Sequence, residues 1–316
     1  MASIAVIGAG AIGGYVAAAA SLNGQDVRLC VRSPLRSLRV NHQGTEHRPA
    51  VHVLERPDRA SVADYVVLTT KAHDSAGAAA WFEHLCGPET VIVVMQNGVD
   101  HVERIQPLAP GATVLPALIH IAVDRIAPGH VVHRSGRRIV LPAHPAAGAV
   151  AAAVGGVLID VEQDADIITA SWRKLLLNVA ANPITAITGQ RLGVLEVPSV
   201  RELAGGILRE AVAVGIACGA RLTDQDVTAT LETYAGLGPS VGTSMLADRL
   251  AGRPVEYELI TAAVVRRASR HGLEAPLNRA VLALLQGCDT DARRPKPTTA
   301  VPTAVPTAVP TARAAA

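Results

Sequence analysis

The chain has 316 residues, 49% hydrophobic and 18% charged, with a net charge of +2. At about 150 residues per domain this predicts two domains with ample core material, and the near-neutral charge argues against a nucleic-acid or acidic-membrane partner. The 29 basic residues include only three lysines, Lys71, Lys174 and Lys296, and asparagine is limited to Asn23, Asn41, Asn97, Asn178, Asn182 and Asn278. Where an arginine-rich chain keeps lysine, an ammonium able to release its proton has a use. Cys30, Cys86, Cys218 and Cys288 form no CxxC pair, as expected of a reducing, cytoplasmic setting. The first 25 residues are uncharged, but they lack the basic start of a secretion signal and are interrupted by Gly8, Gly10, Gly13 and Gly14. Neither a leader nor a membrane span is expected.

Residues 3–7 read as a buried strand, followed by the GAGAIGG segment and an alanine-rich helix to about Leu22. Asn23-Gly24 predicts a turn. Residues 26–31, 64–69 and 90–95 read as apolar strands separated by helical stretches, which predicts βαβ units and a parallel sheet. Residues 112–141 change to short strands with Pro128-Gly129 and Ser135-Gly136 turns, expected at the far edge of that sheet. After about residue 164 strand signals fade, and 166–182, 199–219, 224–235, 240–250 and 256–271 read as helices. The prediction is an α/β protein with residues 1–165 as a dinucleotide-binding domain and 166–290 as an all-helical domain. Residues 291–316 are a disordered Pro/Ala/Thr tail, in which AVPT repeats three times.

Gly8-Ala9-Gly10-Ala11-Ile12-Gly13 fits GxGxxG where a strand ends and a helix begins, the context of a Rossmann-type dinucleotide site. Gly8 allows the tight turn, Gly10 a close approach of the pyrophosphate, and Gly13 close packing of helix on sheet. The helix N-terminus offers N–H groups to the phosphates, which adds Ala9, Ala11 and Ile12 to the cofactor set. The second strand ends in Cys30-Val31-Arg32-Ser33, without the acid that holds an NAD ribose. Arg32 suits the 2′-phosphate of NADP; a surface arginine is the plain alternative. Lys71 and Asn97 follow other strands, in Thr69-Thr70-Lys71-Ala72-His73 and Gln96-Asn97-Gly98, at the carboxyl ends where open α/β sheets bind ligands. Asn97-Gly98 also fits an ordinary turn.

Between Trp172 and Pro183, Lys174, Asn178 and Asn182 recur at i, i+4 and i+8 among apolar neighbours. On a continuous helix this is one stripe, drifting about 40° per step. A helix apolar on its other sides is buried, so the stripe must face a cleft or lose its hydration. A snorkelling lysine beside two core amides is the alternative. Pro183 predicts a kink right after Asn182. Ser244 and Glu256 are further candidates, whose ordinary readings are a helix cap and a solvated helix charge. The 11 histidines show no metal-ligand spacing, so no metal is expected.

As a set, these motifs resemble the ketopantoate reductase family over about residues 3–288. The resemblance rests on GAGAIGG, Thr70-Lys71-Ala72, Gln96-Asn97-Gly98, Trp172-Arg173-Lys174 with Asn178 and Asn182, Ser244-Met245 with Asp248, and Glu256. It implies NADPH/NADP+ as cofactor and reduction of ketopantoate to D-pantoate. It also implies Lys174 as general acid toward the C2 oxygen, with Glu256 positioning or balancing it. Asn97 falls at the nicotinamide ribose and the substrate carbonyl, Lys71 lines the cofactor, and Asn178, Asn182 and Ser244 bind the substrate carboxylate and hydroxyl. The expected partner is a small-molecule 2-keto acid, not nucleic acid or membrane, bound by a monomer or homodimer. Members of the family can place a further asparagine beyond the catalytic helix, where this chain reads Thr188-Gly189-Gln190-Arg191-Leu192-Gly193. Reduction of another branched 2-keto acid, or NADP binding without catalysis, are the competing expectations.

Overall fold

The computed structural model describes residues 1–71 and 75–293. Ala72 and His73 of the strand-end motif, Lys296, and the expected tail from residue 294 onward lie outside them.

The parallel sheet begins with β1 (Ser3–Ile7), whose Ile4, Ala5, Val6 and Ile7 are inaccessible on both faces. Helix α1 (Ala11–Leu22) leads to β2 (Asp26–Cys30). The chain then makes β3 (Arg39–His42), β4 (Thr45–His47) and β5 (His52–Leu54) before β6 (Tyr65–Leu68). Helix α2 (Ser75–Leu85), β7 (Val91–Val94), α3 (His101–Ile105) and β8 (Thr113–Pro116) follow. The strand order is β5-β2-β1-β6-β7-β8, all parallel. The chain runs outward from β1 to β5 and returns to β6 on the other side. The β1/β6 boundary is therefore the switch point, with a crevice at the carboxyl ends of these strands.

The expected far edge at 112–141 holds only for β8. Strands β9 (Leu118–Ala127) and β10 (His130–Pro142) leave this sheet and pair antiparallel in a second one. There β10 also pairs in parallel with β3 and, after α4 (Ala147–Val154), with β11 (Asp160–Asp164). The reason lies in α1. Its residues from Gly13 to Ala20 are buried, so a helix lying on one sheet has its other side to cover as well. Val40 of β3 and Val131, Ile139 and Leu141 of β10 join Ile4, Val6 and α1 in one core. The opposite face of the parallel sheet packs Trp81, Phe82 and Leu85 of α2 against Ile7, Leu68 and Val94.

The remainder is helical: α5 (Ile167–Val179), α6 (Ala181–Thr188), α7 (Pro198–Ala217), α8 (Asp224–Leu237), α9 (Ser244–Leu250), α10 (Thr261–Arg270) and α11 (Pro276–Arg293). The last of these extends the helices read from the sequence. Its first amides, of Leu277 and Asn278, donate to the Glu210 carboxylate at 2.8 and 2.9 Å. Trp172, Leu176, Ile207, Leu208 and Leu285 lie in the helical core.

Candidate active site

The glycine-rich loop fits a dinucleotide. Gly8 takes φ +106°, and its amide donates to the Cys30 carbonyl at 3.0 Å, which ties the ends of β1 and β2. A Cβ on Gly13 would collide with the Gly8 carbonyl oxygen and Thr69 Oγ1, whereas one on Gly10 would enter open space. The first position is needed for packing and the second leaves room for a phosphate. Helix α1 starts without a side-chain cap, so its first amides are not claimed by a neighbouring hydroxyl or carboxylate. Ala9, Ala11 and Ile12 lie in the same loop and first turn, and Arg32 is exposed just beyond β2.

The ends of β6 and β7 are tied together. Gln96 donates to the Thr70 carbonyl at 2.5 Å, and Arg104 donates to Gln96 Oε1 at 2.8 Å. Buried His101 donates from Nε2 to the Gln96 carbonyl at 2.8 Å; burial drops its pKa to about 4, so the ring is neutral at pH 7. Asn97 is thereby held at the end of β7. Gly98, at φ +106°, brings the loop against the helical region, where a Cβ would strike the Leu259 carbonyl. Around it α3 and α10 dock through charge: Arg266 pairs with Asp100 at 3.1 Å, and Arg267 and Arg270 with Glu103 at 3.2 and 3.1 Å.

The stripe of Lys174, Asn178 and Asn182 does not lie on one helix. The helix breaks at Ala180, leaving Lys174 and Asn178 on α5 and Asn182 in the first turn of α6. Pro183 forces the break three residues earlier than the expected kink, because it has no N–H for the Val179 carbonyl and its ring crowds that carbonyl. Near the break the Tyr234 hydroxyl donates to the Leu176 and Leu177 carbonyls of the last turn of α5, at 2.9 and 3.2 Å. Asn182 is buried, and Asn178 is partly so.

Lys174 is largely enclosed. Burial lowers its pKa to about 8, and the nearby Glu256 carboxylate opposes that fall. Glu256 stands on the loop between α9 and α10, not on a helix, and its ion pair goes to Lys71. Lys71 Nζ lies 3.0 Å from Glu256 Oε2 and 2.7 Å from Asp248 Oδ2. Burial works against the Lys71 charge, but the two carboxylates outweigh it and hold its pKa above the ordinary lysine value. Thr243, not Ser244, caps α9, its hydroxyl accepting from the Leu246 amide at 3.1 Å. Ser244 is exposed in the first turn behind it.

Two further residues of the site carry no assigned role in the sequence, Asp248 beside Lys71 and His120 beside Lys174. Buried Asp248 was part of a motif but had no role, although its place one turn after Ser244 was a signal. His120 on β9 had no signal at all. It faces a cavity of about 540 Å³ that Lys174 also lines, with Arg138, Glu162, Asp226 and Leu177. Burial, with Arg138 and Lys174 nearby, lowers the His120 pKa to about 4. Neither Asn97, Asn178, Asn182, Ser244 nor Glu256 lines that cavity. Among the described residues no group of three or more His, Cys, Asp or Glu could hold a metal ion, and no helix is long and apolar enough to cross a membrane.

Residues 4–146 match the family model for ketopantoate reductase PanE/ApbA, and 166–289 match that for its C-terminal part. The 2-dehydropantoate 2-reductase of Caulobacter vibrioides is 34% identical over 286 residues, covering 90% of this chain and 98% of the relative. The protein of the same name from Mycobacterium tuberculosis is 35% identical over 285 residues, covering 89% and 96%. Among solved structures, a PanE/ApbA family ketopantoate reductase from Ralstonia eutropha superposes with a TM-score of 0.84 at 27% identity, over 92% of this chain and all (100%) of that one. A dimeric ketopantoate reductase from Staphylococcus aureus gives 0.81 at 25% identity, over 92% and 99%. The glycine loop at the switch point, the enclosed Lys174 and the two family models covering most of the chain agree: the chain belongs to the ketopantoate reductase family.

Proposed function

We propose that the protein reduces ketopantoate to D-pantoate with NADPH in the cytoplasm. The observation that carries this reading is Lys174: an enclosed ammonium with a pKa near 8, in the field of Glu256. Such a group is mostly charged at neutral pH yet gives up its proton far more readily than an ordinary lysine.

NADPH, when bound, supplies the hydride that adds to C2. Lys174 holds the proton that goes to the C2 oxygen, so the carbonyl becomes a hydroxyl without a free alkoxide. Gly8, Ala9, Gly10, Ala11, Ile12 and Gly13 would hold the pyrophosphate and Arg32 the 2′-phosphate, while Lys71 would line the cofactor and Asn97 would meet the nicotinamide ribose. Asn97, Asn178, Asn182 and Ser244 orient the keto acid through its carbonyl, hydroxyl and carboxylate. Residues 1–165 thus carry the cofactor and 166–290 the proton donor and most substrate contacts, in a monomer or homodimer.

The test is NADPH oxidation across ketopantoate, ketoisovalerate and pyruvate, with Lys174→Ala beside the parent protein. Ketopantoate turnover should exceed the others by about 100-fold or more, since a site built to hydrogen-bond a substrate hydroxyl can reject an analogue lacking it by up to about 10⁴-fold. Equal turnover of the three would shift the assignment to another 2-keto acid. NADPH binding without turnover of any would leave a binding protein.

A further inference from the structure

We infer that Asp248 is a positioning residue, which shares the Lys71 ammonium with Glu256 so that Glu256 keeps part of its charge for Lys174. The inference rests on Lys174 being the proton donor. Asp248 is 5% exposed. A carboxylate buried this far needs partners, because burial removes its hydration. It has two, one on each oxygen: Arg253 Nε at 2.9 Å on Oδ1 and Lys71 Nζ at 2.7 Å on Oδ2. Arg253 lies just beyond α9 and anchors the carboxylate locally. Lys71 arrives from the end of β6, 177 residues earlier in the chain. The Lys71 contact to Asp248 is shorter than its 3.0 Å contact to Glu256.

The consequence is electrostatic. A lone carboxylate facing Lys71 would be paired with it and would have little field left for a second cation. The cluster is neutral as a whole, since Arg253 balances Asp248, but Lys71 lies nearer Asp248 than Glu256, so Glu256 is only partly opposed and acts on Lys174 and on Arg104 as well as on Lys71. Among the described residues, the other titratable or charged groups around Lys174 include His101 at the start of α3, His120 on β9, Arg138 on β10, Glu162 and Asp164 on β11, the Arg221–Asp166 pair before α5 and the Arg173–Asp226 pair on α5 and α8. None of them shares a hydrogen bond or ion pair with Asp248 or Lys71 among the described contacts.

The two substitutions therefore act in opposite directions. In Asp248→Asn, Lys71 settles on Glu256 alone, cancels its field, and the Lys174 titration moves to lower pH. In Lys71→Met, Glu256 is unopposed and the titration moves to higher pH. Each displacement should be about half a pH unit or more. Asp248→Glu should return it toward the parent value. The chain has three lysines, so reductive ¹³C-methylation and NMR titration of the full-length protein read Lys174 directly, beside the pH profile of kcat/KM. Opposite displacements with rescue by glutamate support the inference. Displacements in one direction, or lost activity with an unmoved titration, would overturn it and leave Asp248 a structural clamp. The NMR reading does not depend on turnover: a parent protein inactive on every keto acid would sink the proposed function separately.

Discussion

Glu256 makes its ion pair with Lys71, at 3.0 Å, and acts on Lys174 through space. The carboxylate is thus not the direct partner of the proton donor. It belongs to a four-residue cluster of Lys71, Asp248, Glu256 and Arg253 that links the end of β6 to the loop after α9. Among the described residues Lys174 makes no ion pair, and burial holds its pKa down.

The first expected outcome is a pH profile. The donor must be charged, and its pKa is about 8. kcat/KM for reduction should be level near neutrality and fall as pH rises through about 8, while oxidation of the hydroxy acid rises over the same range. A limb only above the ordinary lysine range would assign the proton to another group.

Lys174→Met should lower turnover by about 10²- to 10⁴-fold, the scale of a lost general acid. It should also stabilise the protein. The Lys174 pKa falls from 10.5 to about 8 on folding, so the folded chain binds fewer protons than the unfolded chain between these values. Holding the charge therefore costs about 3 kcal/mol at neutral pH, and the cost is relieved as pH rises through that window. Thermal unfolding at pH 7 should show a Tm higher by about 5 °C or more. A lower Tm would mean that Lys174 is a structural partner.

Gly13→Ala and Gly10→Ala should separate stability from cofactor binding. The first places a methyl against the Gly8 carbonyl and Thr69, which should destabilise the fold by about 1–3 kcal/mol. The second meets no protein atom, so Tm should hold while KM for NADPH rises. Urea unfolding and NADPH titration of both variants check the pair.

Arg32→Asp should reverse the cofactor preference. Losing charge-assisted bonds to a 2′-phosphate corresponds to roughly 10- to 100-fold in NADPH affinity, and the new acid can accept from an NADH ribose. Steady-state kinetics with both cofactors decide it. An unchanged ratio would leave Arg32 an ordinary surface cation.

What was readable from residues alone was local. A strand, GAGAIGG and an alanine-rich helix specify a nucleotide loop because turn sterics and helix packing act over a few residues. The scarcity of lysine marked Lys71 and Lys174 because any surface cation could be arginine. Spacing within one helix was less safe: the stripe of Lys174, Asn178 and Asn182 assumed a continuous ladder. Pro183 removes the bond to the Val179 carbonyl, and Tyr234, more than fifty residues later, donates instead to the Leu176 and Leu177 carbonyls one turn before the break.

Long-range pairing was not readable. The β9–β10 hairpin looked like a sheet edge because its alternation of residues is the same in either sheet. Only the uncovered side of α1 decides that it folds back over that helix. Glu256 looked like the partner of Lys174 because both are site residues, but charge distributes by distance and burial. The sequence determined which residues could carry the chemistry, since residue type and local spacing set what each group can do. Only the tertiary structure decided which charges meet, because Lys71, Asp248 and Glu256 become neighbours only when the end of β6 closes on the loop after α9, and a Coulomb interaction is set by separation and solvent access rather than by sequence order.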